Sequence, residues 1–147
     1  MTLVVVLVAL LLVIATTTWH YEVLRVLGPR IAHLHVRPRV RLLLVLFGCL
    51  FAHAVEIGMY AVAAHQLAHA GIYGRFVEEA SPSWWRAWYY SAETFTSLGY
   101  GDELLEGPMR LLSGIECLNG LLLIGWSVSY LHMAMLRSWP DRIRERE

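Results

Sequence analysis

The chain has 147 residues, of which 57% are hydrophobic and only 16% charged, and its mean hydropathy is +0.50. That profile excludes an ordinary soluble globular domain and reads as a membrane protein. Basic and acidic residues both number 12, so net charge points to no nucleic acid and no acidic partner; every basic residue is arginine, a bias expected of a GC-rich prokaryote.

Three segments supply the ~20 predominantly apolar residues that a helix needs to cross a bilayer. The first runs from Leu3 to Tyr21. No basic region precedes its apolar start, and Thr16, Thr17, Thr18 and Trp19 follow in place of a small-residue cleavage site, so it is expected to be a permanent span. Its Trp19-His20-Tyr21 end suits the membrane interface. The second span is expected over residues 40–66 and the third over 108–136, opening at Pro108, a good first-turn residue. Cys49 and Cys117 fall inside these spans at different depths and read as small buried hydrophobes.

Charge sets the expected orientation. Arg25, Arg30, Arg37, Arg39 and Arg41 fall between the first two spans, and Arg137, Arg142, Arg144 and Arg146 follow the third. Both groups should be cytoplasmic by the positive-inside rule, in a cell (plasma) membrane. Glu78, Glu79, Asp102, Glu103 and Glu106 outnumber Arg75, Arg86 and Arg110 between the second and third spans, which places that segment and the N terminus outside. The basic stretch Arg25–Arg41 is also suited to anionic lipid headgroups.

The outer segment is more than a loop. Ser81-Pro82-Ser83 offers a cap for a helix to residue 96 that is too short and polar to span, and Gly99-Tyr100-Gly101 follows. Irregular backbone at membrane depth is tolerated only where it lines a water-filled cavity or is buried in protein, so this is a re-entrant pore loop. Glycines there let consecutive carbonyls turn to one side, in conformations that a Cβ disfavours. Leu98 and Tyr100 are expected to point away and pack behind.

The stretch Ser91-Ala92-Glu93-Thr94-Phe95-Thr96-Ser97-Leu98-Gly99-Tyr100-Gly101-Asp102 resembles the S-x-E-T-x-T-T-V-G-Y-G-D signature of the pore-loop potassium channel superfamily, in its small prokaryotic two-transmembrane branch. The resemblance covers about half the chain and leaves the first span without a counterpart. It implies an all-α membrane fold of three transmembrane helices plus a re-entrant pore helix and selectivity filter, assembled as a four-fold homotetramer. Residues 1–39 would form a peripheral helix and basic loop. Residues 40–136 would form the pore module, with outer helix 40–66, pore helix 83–96, filter 96–102 and inner helix 108–136. A short cytoplasmic tail, 137–147, would follow.

Carried onto matching positions, the resemblance implies that Thr96, Ser97, Leu98, Gly99, Tyr100 and Gly101 bind K⁺ ions. Glu93 and Asp102 would form a carboxylate pair behind them, and Trp88, Tyr89 and Tyr90 an aromatic cuff. Gly120 would be the inner-helix hinge, if one residue is missing after Asp102, with Leu121, Ile124, Val128 and His132 facing the conduction path. The chain departs from the signature at Ser97, at Leu98 and at Glu103-Leu104-Leu105-Glu106, which stands where a proline commonly follows.

Polar residues inside spans need accounts. His53 and Glu56 share one helical face and Glu116 and Asn119 another, as inter-helix glue or a proton-sensitive gate. Glu56 and Asn119 fall at similar depth, so a hydrogen bond between them is expected. His65 and His69, four apart, have the spacing of a transition-metal pair without a clear third ligand. No catalytic constellation and no cofactor beyond K⁺ is expected. The expected function is potassium-selective passive conduction; the alternatives are a weakly selective monovalent cation channel, a non-conducting proton or metal sensor, and an accessory subunit.

Overall fold

The computed structural model describes residues 1–32, 34–77 and 83–138. Glu78, Glu79, Ser81, Pro82 and the tail arginines Arg142, Arg144 and Arg146 lie outside the described residues. In chain order the elements are α1 (Thr2–Ala32), α2 (Pro38–Ala70), β1 (Arg75–Phe76), α3 (Trp84–Phe95), β2 (Leu105–Glu106), a 3-10 turn (Gly107–Met109) and α4 (Arg110–Ser138). Three helices, α1, α2 and the turn-plus-α4 segment, are long and apolar enough to cross a membrane.

The first helix runs eleven residues past the expected end at Tyr21, so Arg25 and Arg30 lie on a helix and not in a loop. The cause is packing at helical spacing: Leu24 and Ile31 are buried with Val45 and Cys49 of α2, and Leu27 of α1 packs on them beside Tyr130, Leu131 and Ala134 of α4. Arg25 turns outward to pair with Glu22 at 2.6 Å. His20, expected at the membrane interface, is instead fully buried. Thr16, Val5 and Ala9 of the same helix are buried too, so α1 is bound into the core along much of its length.

The second helix starts with Pro38 in its first turn, where a missing N–H costs nothing, and stops at Gly71 in the left-handed conformation (φ 68°). Its Gly58 lets the Trp88 ring of α3 lie against the backbone, where a Cβ would come within 2.9 Å of the indole. Helix α3 is capped by Ser83, whose hydroxyl accepts from the Arg86 N–H, and it wedges between α2 and α4.

The all-α expectation needs one amendment. β1 and β2 pair antiparallel, Arg75 opposite Glu106 and Phe76 opposite Leu105. The Glu103–Glu106 stretch, which departs from the channel signature, supplies the second strand. It ties the chain leaving α2 to the chain leaving the filter segment, with Arg75 Nε donating to Glu106 at 3.1 Å and Phe76 buried against Tyr90.

Between α1, α2 and α4, Asn119 Nδ2 donates to Thr16 Oγ1 (2.8 Å) and to Tyr60 Oη (3.1 Å). The expected Glu56–Asn119 bond is therefore not made: Asn119 is spent on Thr16 and Tyr60, and Glu56 on two histidines. Replacing Asn119 by Ala removes both donors at once. The expected result is a loss of about 1–2 kcal/mol of stability, read as a lower unfolding midpoint in detergent.

Candidate functional site

The segment Thr96–Asp102 emerges from the C-terminal end of α3 with its backbone donors and acceptors separated. Thr96 N–H donates to Ala92 O (3.2 Å) and Ser97 N–H to Thr94 O (3.0 Å). Leu98 and Gly99 N–H both donate to Glu93 O, at 2.9 and 3.2 Å. Tyr100 N–H donates to the Glu93 carboxylate Oε2 at 2.9 Å. Every amide from Thr96 to Tyr100 is thus directed back into α3. Among the described residues, no hydrogen bond is made to the carbonyl oxygens of 96–101, and these residues are exposed in the single chain.

Backbone handedness alternates along this segment. Ser97, Gly99 and Gly101 have φ of 60°, 52° and 82°, and Leu98 and Tyr100 between them do not take positive φ. Gly99 and Gly101 meet this requirement without a Cβ; Ser97 does not, and its left-handed conformation was not foreseen. Its hydroxyl lies 3.1 Å from Cys117 Sγ of α4. Cys117, read from sequence as a bland apolar residue, is therefore in contact with the segment, and no sequence signal marks it. The Thr96 hydroxyl bonds back to Ala92 O at 2.8 Å.

Glu93 is almost fully buried, and burial, followed by the nearby charges of Asp102 and Glu103, pushes its carboxyl above the usual range. Asp102 sits close enough to act on Glu93 while accepting from Tyr89 Oη at 3.1 Å. Arg86 clamps Glu103 with two bonds, Nε at 2.7 Å and Nη2 at 2.8 Å.

The three expected cuff residues go to different places. Tyr89 lies parallel to Tyr100, ring centroids 6.5 Å apart. Tyr90 is buried, hydrogen-bonded to Ser113 of α4, and Trp88 lies on α2. Leu98, expected to pack behind the segment, is 58% exposed, and Tyr100 is 67% exposed. Among the described residues, none buries Leu98.

Glu116 and Gly120 of α4 support α3 from below. Ser91 Oγ contacts both Ile57 O (3.0 Å) and Glu116 Oε1. One hydroxyl hydrogen cannot serve two acceptors, so both contacts close as hydrogen bonds when Glu116 carries a proton and donates to Ser91. A Cβ on Gly120 would overlap the Phe95 carbonyl oxygen, so this glycine is a close-approach point under the C-terminus of α3. Leu121, Val128 and His132 are exposed on α4, while Ile124 packs partly on the core.

His53 and Glu56 come together with His20 and Ser127, a group treated below. The His65 and His69 rings stack at 4.1 Å, and His69 Nδ1 bonds to the His65 carbonyl oxygen at 2.9 Å.

The Glu93 carboxylate is the one side chain in this scheme that holds a segment amide. Glu93→Ala is expected to raise the hydrogen-exchange rate of the Tyr100 amide by about tenfold or more, and Glu93→Gln, which keeps an accepting oxygen, by less.

A family model described as Ion channel matches residues 42–137, from the start of α2 to the end of α4. No curated protein and no solved structure gives a match.

Proposed function

Because the chain belongs to the two-helix pore-loop ion channel family, we propose that four copies assemble around one axis and conduct K⁺ through the carbonyls of Thr96–Gly101. The observation that carries this reading is the separation of donors from acceptors in that segment. Amides are drained into α3, and a row of unpaired carbonyl oxygens is left exposed. Buried around an axis, a carbonyl row is unfavourable unless donors or a cation meet it, and a dehydrated monovalent cation does so. One strand cannot surround an ion, so four-fold symmetry completes each ring. The uncovered Leu98 and Tyr100 side chains support an interface between copies.

In this assembly α2 is the outer helix and α4 lines the cavity, with the exposed Leu121, Val128 and His132 along the conduction path. Arg37, Arg39, Arg41 and Arg137 lie on the cytoplasmic side of a plasma membrane, where anionic lipid headgroups suit them, and Asp102, Glu103 and Glu106 lie outside. Conduction is passive, by ion-to-ion displacement between successive rings, and requires no catalytic group.

One observation favours a less selective cation pore. The Ser97 hydroxyl is engaged with Cys117 Sγ at 3.1 Å, a contact that competes with its use as an ion ligand. Reversal potentials of the purified chain in planar bilayers separate the two: a value near the K⁺ equilibrium potential under opposed K⁺ and Na⁺ gradients supports the selective reading, and one near zero refutes it. Gly99→Ala forces a Cβ into a left-handed residue, adding about 4–8 kcal/mol over four copies at 1–2 kcal/mol each. The expected outcome is loss of K⁺ flux in liposomes, with the cross-linked tetramer still formed.

A further inference from the structure

Midway along the helix bundle, four side chains from three helices close a ring. Glu56 Oε1 lies 2.8 Å from His20 Nδ1, and Glu56 Oε2 lies 2.8 Å from His53 Nδ1. On the far side, Ser127 Oγ lies 3.3 Å from His20 Nε2 and 3.0 Å from His53 Nε2. His20 and Glu56 are fully buried, Ser127 is 7% exposed, and the two imidazoles stack at 5.2 Å. His53 is part-buried, its side chain 14% exposed, and we infer that His20, Glu56, His53 and Ser127 form a largely buried site that binds one proton and so holds α1 to α2 and α4.

The argument is a count of hydrogens. An ionised carboxylate only accepts, so both Nδ1 atoms must bring hydrogens to Glu56. If both histidines are neutral, both Nε2 atoms are then acceptors, and Ser127 has one hydrogen to give. One contact becomes lone pair against lone pair, and the site keeps a buried net charge of minus one. If both histidines are protonated, both Nε2 atoms donate to Ser127, and the site carries plus one. With one extra proton the ring closes: one imidazolium donates to Ser127 Oγ, and Ser127 donates to the other imidazole. All four contacts are then hydrogen bonds, and the net charge is zero, as apolar surroundings demand. Moving that proton onto Glu56 keeps the same count and the same closure.

The neighbours do not supply a competing charge. On α2, Cys49 reaches Ser127, and Tyr60 lies one turn beyond Glu56. From α4, the Trp126 ring lies 5.4 Å from that of His20, and Glu116, the next acid, is engaged with Ser91. From α3, the Phe95 ring packs on His53 at 5.8 Å. On α1, Tyr21 is half exposed and tilts against Trp126, and Glu22, its side chain 44% exposed, is paired with Arg25 at 2.6 Å. The proton therefore sits where three helices meet, one ring away from the end of α3.

The inference does not use the pore reading, and its measurement does not involve ion flux. Protein labelled with nitrogen-15 histidine and reconstituted in liposomes at pH 7.5 is read by solid-state NMR for imidazolium at His20 and His53. Infrared spectroscopy reads a protonated Glu56 carboxyl. The expected sum is one equivalent per chain; zero or two overturns the inference. Glu56→Gln is the second arm. Its amide accepts from one Nδ1 and donates to the other, so the ring closes with no extra proton and the shape is kept. The expected result is a folded protein with no imidazolium at either position; one retained equivalent overturns the inference. Zinc retained at one per chain after dialysis, and lost in Glu56→Gln, would also overturn it, since a metal would then occupy the place of the protons.

Discussion

Glu93 is the residue on which the conformation of the Thr96–Asp102 segment depends. Its main-chain oxygen takes the amides of Leu98 and Gly99, and its carboxylate takes that of Tyr100. One residue thereby collects three consecutive donors and leaves their carbonyls without backbone partners. A strand in a sheet alternates its donors and acceptors to both sides; this one sends its donors one way. That polarity requires a helix end on one flank, to which α3 contributes the unfilled carbonyls of its last turn. It also requires left-handed backbone at alternate residues, which Ser97, Gly99 and Gly101 provide.

A lever of this kind works only if α3 is held in place, and each helix around it contributes a polar fixing point. Glu116 of α4 reaches Ser91, which reaches the Ile57 carbonyl of α2, so a single chain of contacts crosses three helices. Arg86 pins α3 to Glu103 just past the Thr96–Asp102 segment, and the paired strands β1 and β2 tie the chain before α3 to the chain after it. Gly120 admits the Phe95 carbonyl so closely that no larger residue fits without movement. In apolar surroundings such bonds have little competition from water, and a broken one leaves an orphaned group. Packing supplies the contact area; the polar pairs select one register for α3.

The parts of this arrangement that sequence discloses are those with local signatures. The spans follow from runs of apolar residues, α3 from its Ser83 cap and short polar helix, and the left-handed backbone at 99 and 101 from glycines at fixed spacing. Partnerships between distant residues leave no such mark. Glu56 and Asn119 do lie at similar depth, yet rotation about each helix axis decides the partner, and depth says nothing about rotation. The left-handed Ser97 was unforeseen because its conformation comes from the alternation of its neighbours, not from its own side chain. The end of α1 lies beyond Tyr21 because His20 of the Trp19-His20-Tyr21 cluster, which suits an interface, is packed inside the bundle, and the apolar positions Leu24, Leu27 and Ile31 carry the helix onward.

The first helix lies outside the matched family region, yet it supplies what that region lacks. Glu56, Tyr60, Asn119 and Ser127 all lie within residues 42–137, and each points a polar group toward α1. Without α1, Asn119 would lose its partner Thr16, and Glu56 would lose His20, leaving a carboxylate in a span with one histidine for company. Groups so placed are costly in hydrocarbon unless paired. The polar residues on the buried face of α1, Thr16 and His20, fall one turn apart at the depth of these groups. The added helix is therefore matched to the family region by chemistry as well as by shape.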